Sequence, residues 1–149
     1  MNLQAQVMEK MKEAMRAKDT IALQALRAVK SAFLLAKTEK GAQDELTAEQ
    51  EIKIIQKQVK QRKDSAAIFL QQGREDLATP ELQEIAILEQ FLPKALSESE
   101  IATIVIETIK ELGASGMQDM GKVVGVVSKK MVGQADGKMI ADLIKKHLA

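Results

Sequence analysis

Apolar residues recur at intervals of three or four along almost the whole chain, and this periodicity constrains the fold more than any other feature. Such a spacing places side chains on one face of an α-helix, whereas a strand brings alternate residues together. Seven segments carry such a stripe. The second shows the pattern well, with inward positions at Ala22, Ala25, Leu26, Val29, Phe33 and Ala36. The sequence therefore predicts an all-α protein.

Short polar motifs mark where the predicted helices begin. Thr47 and Gln50 have the capping-box spacing, in which each side chain bonds the free backbone N–H of the other. Ser97 and Glu100 repeat it. Asp19 is a predicted N-cap for the second helix. These motifs predict the starts of the second, third and fifth helices.

Three further segments predict one loop and two helix starts. Residues 37–46 are polar and aperiodic, which predicts a loop. The fourth helix is predicted to begin at Pro80, because proline is tolerated at the first helical position. Ser115 to Gln118 again has the capping-box spacing and is predicted to start the sixth helix.

The segment from Pro93 to Leu96 is the predicted domain boundary, because the proline ends one helix and a capping box opens the next. We expect an N-terminal helical domain of about four helices over residues 1–93. A small three-helix domain is expected over residues 94–149.

The segment from Val123 to Val127 has two interpretations. Its β-branched residues, taken alone, favour a strand. Apolar side chains nevertheless follow a heptad spacing, which a strand cannot use, at Met117, Met120, Val124, Val127 and Met131. We predict a helix.

The composition excludes several classes of site. The 149 residues include no cysteine, which rules out a disulfide framework, a thiolate nucleophile and a cysteine zinc site. The formal charge is +1 and 2% of the residues are aromatic. Strong sequence-blind duplex binding needs a basic excess, and base stacking needs exposed rings. The composition supplies neither, so it argues against both kinds of nucleic-acid binding. No apolar run is long enough for a membrane span and no signal peptide is indicated, so we expect a cytoplasmic protein.

Arg62 lies in the apolar stripe of the third predicted helix, between Val59 and Ala66. A guanidinium there is costly to desolvate unless a carboxylate accompanies it. We therefore expect a structural ion pair with the fourth helix, whose candidate carboxylates are Glu81, Glu84 and Glu89.

The other side of that helix carries the densest basic run of the chain, from Lys57 to Lys63. A solvated helix face and a phosphate-binding track for RNA are both open interpretations. Asp64 interrupts the face, which favours the solvated one.

A candidate RNA-binding set lies on the sixth and seventh predicted helices. Two glycines four residues apart lie on the flank of the sixth, with two lysines projecting together beside them, and a second lysine pair projects from the seventh. The glycines allow a close helix crossing, which we favour, or the approach of a ribose–phosphate backbone. The set comprises Gly121, Gly125, Lys122, Lys129, Lys138 and Lys145.

No constellation of residues points to catalysis. His147, the only histidine, lies at the end of the seventh predicted helix, where a charged imidazole suits the helix dipole. No carboxylate pair stands out for acid–base chemistry, and the glycine-rich phosphate loops are absent. We predict no catalytic residue, no metal site and no cofactor.

Several strings of the sequence resemble one family. They are Lys57 to Ser65, Gly73 to Ala78, Phe91 to Pro93, Asp119 to Gly125 and Gly133 to Gly137. Together they resemble the YqeY family, which is similar to the helical tail of the B subunit (GatB) of the glutamine-dependent aminoacyl-tRNA amidotransferase. The resemblance covers essentially the whole chain.

The resemblance implies two helical domains and a role connected with tRNA. In the amidotransferase the tail contacts the body of the tRNA, whereas the chemistry takes place in a catalytic domain and in a separate amidase subunit. Neither region has a counterpart in this chain. The resemblance therefore implies association with a carbon–nitrogen ligase that uses glutamine as amido donor, and no catalysis by this chain.

Three functions remain open, in order of preference. The first is a non-catalytic helical protein that binds tRNA or associates with the amidotransferase. The second is a protein–protein adaptor whose exposed helical face docks a partner helix. The least favoured is an enzyme with a weakly nucleophilic lysine or serine.

Overall fold

The computed structural model describes residues 2–39 and 45–149, and those ranges contain helices and connecting turns with no strand. The prediction of an all-α protein is confirmed. Contacts divide the chain into two compact units, Met1–Leu92 and Pro93–Ala149. The division into folding domains stays a prediction, because compactness alone does not show that either unit folds by itself.

The first unit is built on one apolar core. Its helices are α1 (Leu3–Ala17), α2 (Thr20–Glu39), α3 (Ala48–Gln71) and α4 (Glu75–Glu89). The helices α3 and α4 lie against each other, and α2 packs on α1, α3 and α4. Almost no solvent reaches the central side chains, which are Val7, Leu26, Val29, Ile55 and Leu88.

Two predicted helix starts in this unit are confirmed. The Thr47 hydroxyl accepts the N–H of Gln50 at 3.2 Å, and the Gln50 side chain accepts the N–H of Thr47 at 2.8 Å. Asp19 Oδ1 accepts the N–H of Ala22 at 3.0 Å. These bonds satisfy donors that the first turn of a helix otherwise leaves without a partner.

The predicted start of the fourth helix is wrong. α4 begins at Glu75, so Pro80 lies inside the helix rather than at its first position. Gly73, with a φ of 71°, ends the preceding helix, and the Arg74 guanidinium bonds both oxygens of Asp76 at 3.0 Å. These bonds hold the pKa of Asp76 below its usual value. The turn and the acidic first residues start the helix before the proline, at the positive end of the helix dipole.

Two smaller predictions for this unit also need correction. α2 continues to Glu39, so residues 37–39 are helical and do not belong to the loop predicted over residues 37–46. Residues 40–44 of that prediction lie outside the described ranges. The four-residue apolar repeat that ends at Met15 predicts that this side chain faces inward, but Met15 is 51% exposed and Ala14 is buried in its place. A repeat of four residues drifts around a helix whose turn takes about 3.6 residues, which moves Met15 off the core face.

The second unit comprises α5 (Glu98–Leu112), a 3₁₀ turn (Met117–Asp119), α6 (Met120–Lys130) and α7 (Gly137–Leu148). The three α-helices pack against one another. Their shared core is made mainly of Ile101, Val105, Val123, Val127, Met131, Ile140 and Ile144.

Of the two capping motifs predicted in this unit, one forms. Ser97 and Glu100 make the reciprocal bonds at 3.1 and 3.2 Å and open α5. The motif predicted from Ser115 to Gln118 is wrong, because the N–H of Ser115 donates to Asp119 Oδ2 at 3.1 Å instead. The 3₁₀ turn takes up the residues that the motif would need.

The segment from Val123 to Val127 is helical, as predicted, and lies within α6. The predicted inward stripe is correct only in part. Val127 and Met131 are buried, but Val123 replaces Val124 at the core and Met117 is 44% exposed. Met117 belongs to the 3₁₀ turn, whose rotation per residue differs from that of an α-helix.

Candidate nucleic-acid interface

The outward face of α6 combines two lysines with two glycines. At about 100° per residue, Gly121 and Gly125 lie opposite the buried Val123 and Val127. Lys122 and Lys129 lie beside the glycines on the same side and are exposed. We call these four residues, Gly121, Lys122, Gly125 and Lys129, the α6 face. Among the described residues, neither of its lysines takes part in an ion pair.

The glycines of the α6 face are not packed against another helix. A Cβ atom built at Gly121 or Gly125 would have no heavy atom within 4 Å, apart from its own chain neighbours and the adjacent helix backbone. The favoured interpretation of these glycines, a close helix crossing, is therefore wrong within the second unit. They leave a strip of exposed helix backbone, with Lys122 next to Gly121 and Lys129 one turn beyond Gly125.

The two lysines are held at a regular spacing by the helix. They are seven residues apart, which corresponds to about 10 Å along the axis, since an α-helix rises about 1.5 Å per residue. The N–H of Ser115 is bonded to Asp119 just before the first turn of α6. The buried Val123 and Val127 fix the rotation of the helix about its axis, which turns the α6 face to solvent.

The α7 lysines have a different environment. Lys138 and Lys145 are exposed, but Asp142 lies one turn from each of them on the same helix. Lys138 also lines a shallow cleft with Asp136 and Asp142. Carboxylates beside these ammonium groups weaken their attraction for a phosphate. The α6 face is therefore the stronger half of the candidate RNA-binding set.

Charge is unevenly distributed within the second unit. Residues 120–149 contain six lysines and two aspartates, whereas residues 94–119 contain two lysines and five acidic residues. The nearly neutral total of the unit thus hides a basic α6–α7 part and an acidic α5 part. This separation supplies a local field that the overall charge of +1 does not suggest.

Arg62 and Glu84 form the ion pair between α3 and α4. Arg62 Nε lies 3.6 Å from Glu84 Oε2, and the two side chains are 13% and 9% exposed. Arg62 Nη1 donates to the backbone and side-chain oxygens of Gln58 at 3.0 and 2.7 Å. Within the described ranges, Arg62 Nε and Glu84 Oε1 have no hydrogen-bond partner. Of the three candidate carboxylates, Glu84 is the one that the structure brings to Arg62, and neither Glu81 nor Glu89 forms an ion pair with it there.

The ionisation of Glu84 is shifted by its surroundings. Burial raises the pKa of the Glu84 carboxyl, the Arg62 guanidinium opposes this shift, and Glu81 adds to it. The cost of desolvation therefore outweighs the attraction of the guanidinium. The site is a structural pair with incomplete hydrogen bonding.

The basic run of α3 faces solvent. Lys57, Lys60 and Lys63 are exposed, and Lys53 bonds Glu49 at 3.1 Å on the same helix. Asp64 is exposed beside them. This arrangement suits a solvated face, and it lacks the bare backbone strip that the α6 face has.

Nothing in the described part of the chain resembles a metal or membrane site. His147 is exposed in the last turn of α7. Within residues 2–39 and 45–149, no three metal-binding side chains come together. No helix in these ranges has the length and apolar character needed to cross a membrane.

Glu51 and Thr108 are buried polar residues, and only the burial of Glu51 was not predicted from the sequence. Glu51 is 3% exposed and accepts the N–H of Gln4 at 3.1 Å, which caps α1 from α3. Thr108 is 0% exposed and donates its hydroxyl to the oxygen of Ile104. Glu51 precedes Ile55 by one helical turn, so extending the α3 stripe backwards would have indicated its burial.

The fold and this site define a class: a two-unit, all-helical protein with an exposed cationic helix face. The chain belongs to the YqeY family, whose model, described as "Yqey-like protein", matches residues 4–148. The resemblance stated from the sequence strings is confirmed.

Similar proteins fall into two groups. One is "Altered inheritance of mitochondria protein 41, mitochondrial" of Clavispora lusitaniae, 34% identical over 81% of this chain and 69% of the relative. The same protein of Pyrenophora tritici-repentis is 30% identical over 91% and 75%. The other group includes the E subunit of the glutamyl-tRNA(Gln) amidotransferase of Sulfurisphaera tokodaii, which is 35% identical over 49% of this chain but over 12% of its own length.

Proposed function

We propose that this protein binds tRNA without performing chemistry on it, and that it associates with a glutamine-dependent tRNA amidotransferase. The α6 face contacts the phosphate backbone. The relative from Sulfurisphaera tokodaii is named as part of a glutamyl-tRNA(Gln) amidotransferase, and this chain is similar to a segment that makes up 12% of it. A match to so small a part of that subunit supports a shared binding module rather than a shared active site.

The α6 face is the observation that carries the proposal. An ammonium group that already has a carboxylate partner gains little from a phosphate, but Lys122 and Lys129 make no ion pair in the described residues. Gly121 and Gly125 remove the side chains that would keep a ribose–phosphate backbone away from the helix. The surface therefore offers two positive charges along one side of an approachable strip.

The expected binding is weak and insensitive to base sequence. Aromatic residues make up 2% of the chain, so base stacking contributes little. Phosphate contacts position an RNA without reading its bases. Recognition then rests on charge and on the shape of the RNA backbone.

A salt titration against two unrelated tRNAs tests the proposal. The variant Lys122→Ala/Lys129→Ala should bind both tRNAs about equally less well than wild type. Each lost phosphate contact should flatten the slope of log affinity against log salt by about 0.7 to 0.9. If wild type shows no measurable binding at low salt, the tRNA proposal is wrong.

Two control variants remove the same charge from other places. Lys94→Ala/Lys110→Ala acts in the acidic part of the second unit and should leave the slope unchanged. Lys57→Ala/Lys60→Ala acts on the exposed face of α3. If that variant flattens the slope and the α6 variant does not, the RNA contact lies on α3.

A protein–protein adaptor is the second candidate, and the bare glycine strip of α6 favours it independently. Small residues four positions apart let a partner helix approach closely. Such docking would depend little on salt, in contrast to phosphate binding. Binding to a purified amidotransferase that is insensitive to salt and lost in Gly121→Leu would support this candidate.

The compartment is part of the proposal. We expect the cytoplasm, although the two fungal relatives are named as mitochondrial proteins. Fractionation of the source cells with an antibody against the chain tests this expectation.

A further inference from the structure

One polar side chain links the last turn of α6 to α5, beside the apolar core that the two helices share. Lys130 Nζ donates to Thr108 Oγ1 at 2.9 Å and to Glu111 Oε2 at 3.0 Å. Thr108 is fully buried, and its own hydroxyl donates to the oxygen of Ile104 at 2.7 Å. One of the two acceptors of the ammonium is therefore fixed inside the core. We call the contact of Lys130 with Thr108 and Glu111 the α5–α6 clip.

The clip supports one of the two lysines of the α6 face and not the other. Lys130 is the last residue of α6, and Lys129 precedes it in the same turn. Terminal turns open more easily than helix interiors, because they have fewer hydrogen bonds and contacts. Lys122 lies in the first turn of α6. The 3₁₀ segment and the bond between Ser115 and Asp119 come before that turn.

The ammonium of Lys130 points away from the α6 face. On a helix with about 100° per residue, Lys130 is rotated about 100° from Lys129, towards α5. Both its acceptors belong to α5. It is therefore already occupied, whereas Lys129 makes no ion pair in the part of the chain that the structure describes.

We propose that Lys130 is a positioning residue, which clips the last turn of α6 to α5 and thereby holds the backbone of Lys129 at a fixed distance from that of Lys122. This inference rests on the proposed function. Two charges held at fixed positions need less ordering when an RNA binds than two charges on a loose helix end. Lys130 itself makes no phosphate contact.

Binding measurements on full-length variants test the inference, with tRNA as probe at a temperature where every variant is folded. Lys130→Met should weaken binding by about the same factor as Lys129→Ala, because the lost turn carries that one phosphate contact. The double variant Lys129→Ala/Lys130→Met should bind no worse than Lys129→Ala alone. Lys122→Ala/Lys130→Met should weaken tRNA binding by the product of the factors measured for the two single variants. Lys130→Arg keeps the positive charge and should bind tRNA as wild type does.

A second variant separates positioning from simple charge. Glu111→Gln weakens the clip while it makes the protein more positive by one charge. Positioning predicts weaker tRNA binding in this variant. If Glu111→Gln binds more tightly, or if Lys130→Met and Lys129→Ala multiply in their effects, Lys130 is itself a phosphate ligand and the inference is overturned.

Hydrogen exchange tests the clip without RNA. The amides at the end of α6, such as that of Met131, which donates to the oxygen of Val127 at 3.2 Å, should exchange faster in Lys130→Met than in wild type. Amides near the start of α6 should be unaffected. Equal exchange in both proteins overturns the clip, whereas absence of tRNA binding in wild type together with faster exchange overturns only the proposed function.

Discussion

At the residue scale, the contact between Arg62 and Glu84 places two charges inside the α3–α4 interface with only part of their hydrogen-bonding capacity used. The guanidinium bonds Gln58 well, but its Nε and the carboxylate Oε1 have no partner among the described residues. Removing one member of a buried pair leaves the other charge without compensation, which is costly. Replacing both by apolar side chains is often neutral or favourable.

Arg62→Ala should lower the free energy of unfolding by about 3–5 kcal/mol, because the Glu84 carboxylate is then left buried without a cation. Urea denaturation measures the change. Lys60→Ala, on the exposed side of the same helix, is the control and should change stability by less than about 0.5 kcal/mol. Equal midpoints for wild type and Arg62→Ala would show that the guanidinium is solvated.

Glu84→Gln should change how stability depends on pH. Since burial raises the pKa of Glu84 in the folded protein, its protonated form favours folding. That contribution is fully present below the pKa of the unfolded chain, about 4.3, and is lost as the pH rises through the folded pKa. The stability of wild type relative to Glu84→Gln should therefore fall as the pH rises through this window. Urea denaturation between pH 4 and pH 8 measures the free energy of unfolding of both proteins. A difference between them that stays constant over this range would contradict the prediction.

At the scale of the element, α4 is a helix that contains an unfavourable residue, because a proline lies inside it. Pro80 is its sixth residue, and a proline there has no N–H to donate to the oxygen of Asp76. The helix also carries Glu84 one turn further on. Contacts with α2 and α3 hold α4 in place despite both features, since Ala78, Ile85 and Leu88 are buried.

Pro80→Ala should stabilise the protein by about 2 kcal/mol, because it restores one helical hydrogen bond and a favourable helix residue. A loss of chain stiffness in the unfolded state opposes this gain by less than about 1 kcal/mol. Thermal unfolding measures the result, with Ala86→Gly, at an exposed position of the same helix, as a destabilising comparison. A lower midpoint in Pro80→Ala would show that the proline fits a bend that the packing requires.

At the scale of the whole molecule, the charge is unevenly distributed within the second unit. The overall charge is +1, but the α6–α7 part of the second unit is basic and its α5 part is acidic. The chain contains no cysteine, and its described residues offer no cluster of metal ligands. A basic region of this kind can attract a polyanion.

The purified protein should neither release ammonia from glutamine nor amidate charged tRNA. The sequence has no thiolate nucleophile, no amidase-like serine–lysine motif and no nucleotide-binding loop. An ammonia assay with an active amidotransferase as positive control measures this. Ammonia release above a no-protein control, from a preparation free of contaminating amidase, would show that the chain is an enzyme.

Much of the helical framework could be predicted because its signals are local. The capping boxes at Thr47 and Ser97 form between residues three apart, and the stripe of α2 repeats within one helix. The start of α4 was missed because the turn at Gly73 and the bond between Arg74 and Asp76 override the preference of proline for a first position. The position of Arg62 within the apolar stripe of α3 also predicted that it lies at an interface, since a buried charge needs a partner.

By itself, the sequence determined the all-helical class, the family and the kind of residue at each candidate site, because periodicity, caps and characteristic strings are properties of neighbouring residues. Only the tertiary structure decided which glutamate meets Arg62, that Gly121 and Gly125 face solvent, and that Lys130 is held by Thr108 and Glu111. Each of these depends on the packing of one helix against another. Helix periodicity gives the direction in which a side chain projects, but the neighbour that it meets is set by elements distant in the sequence.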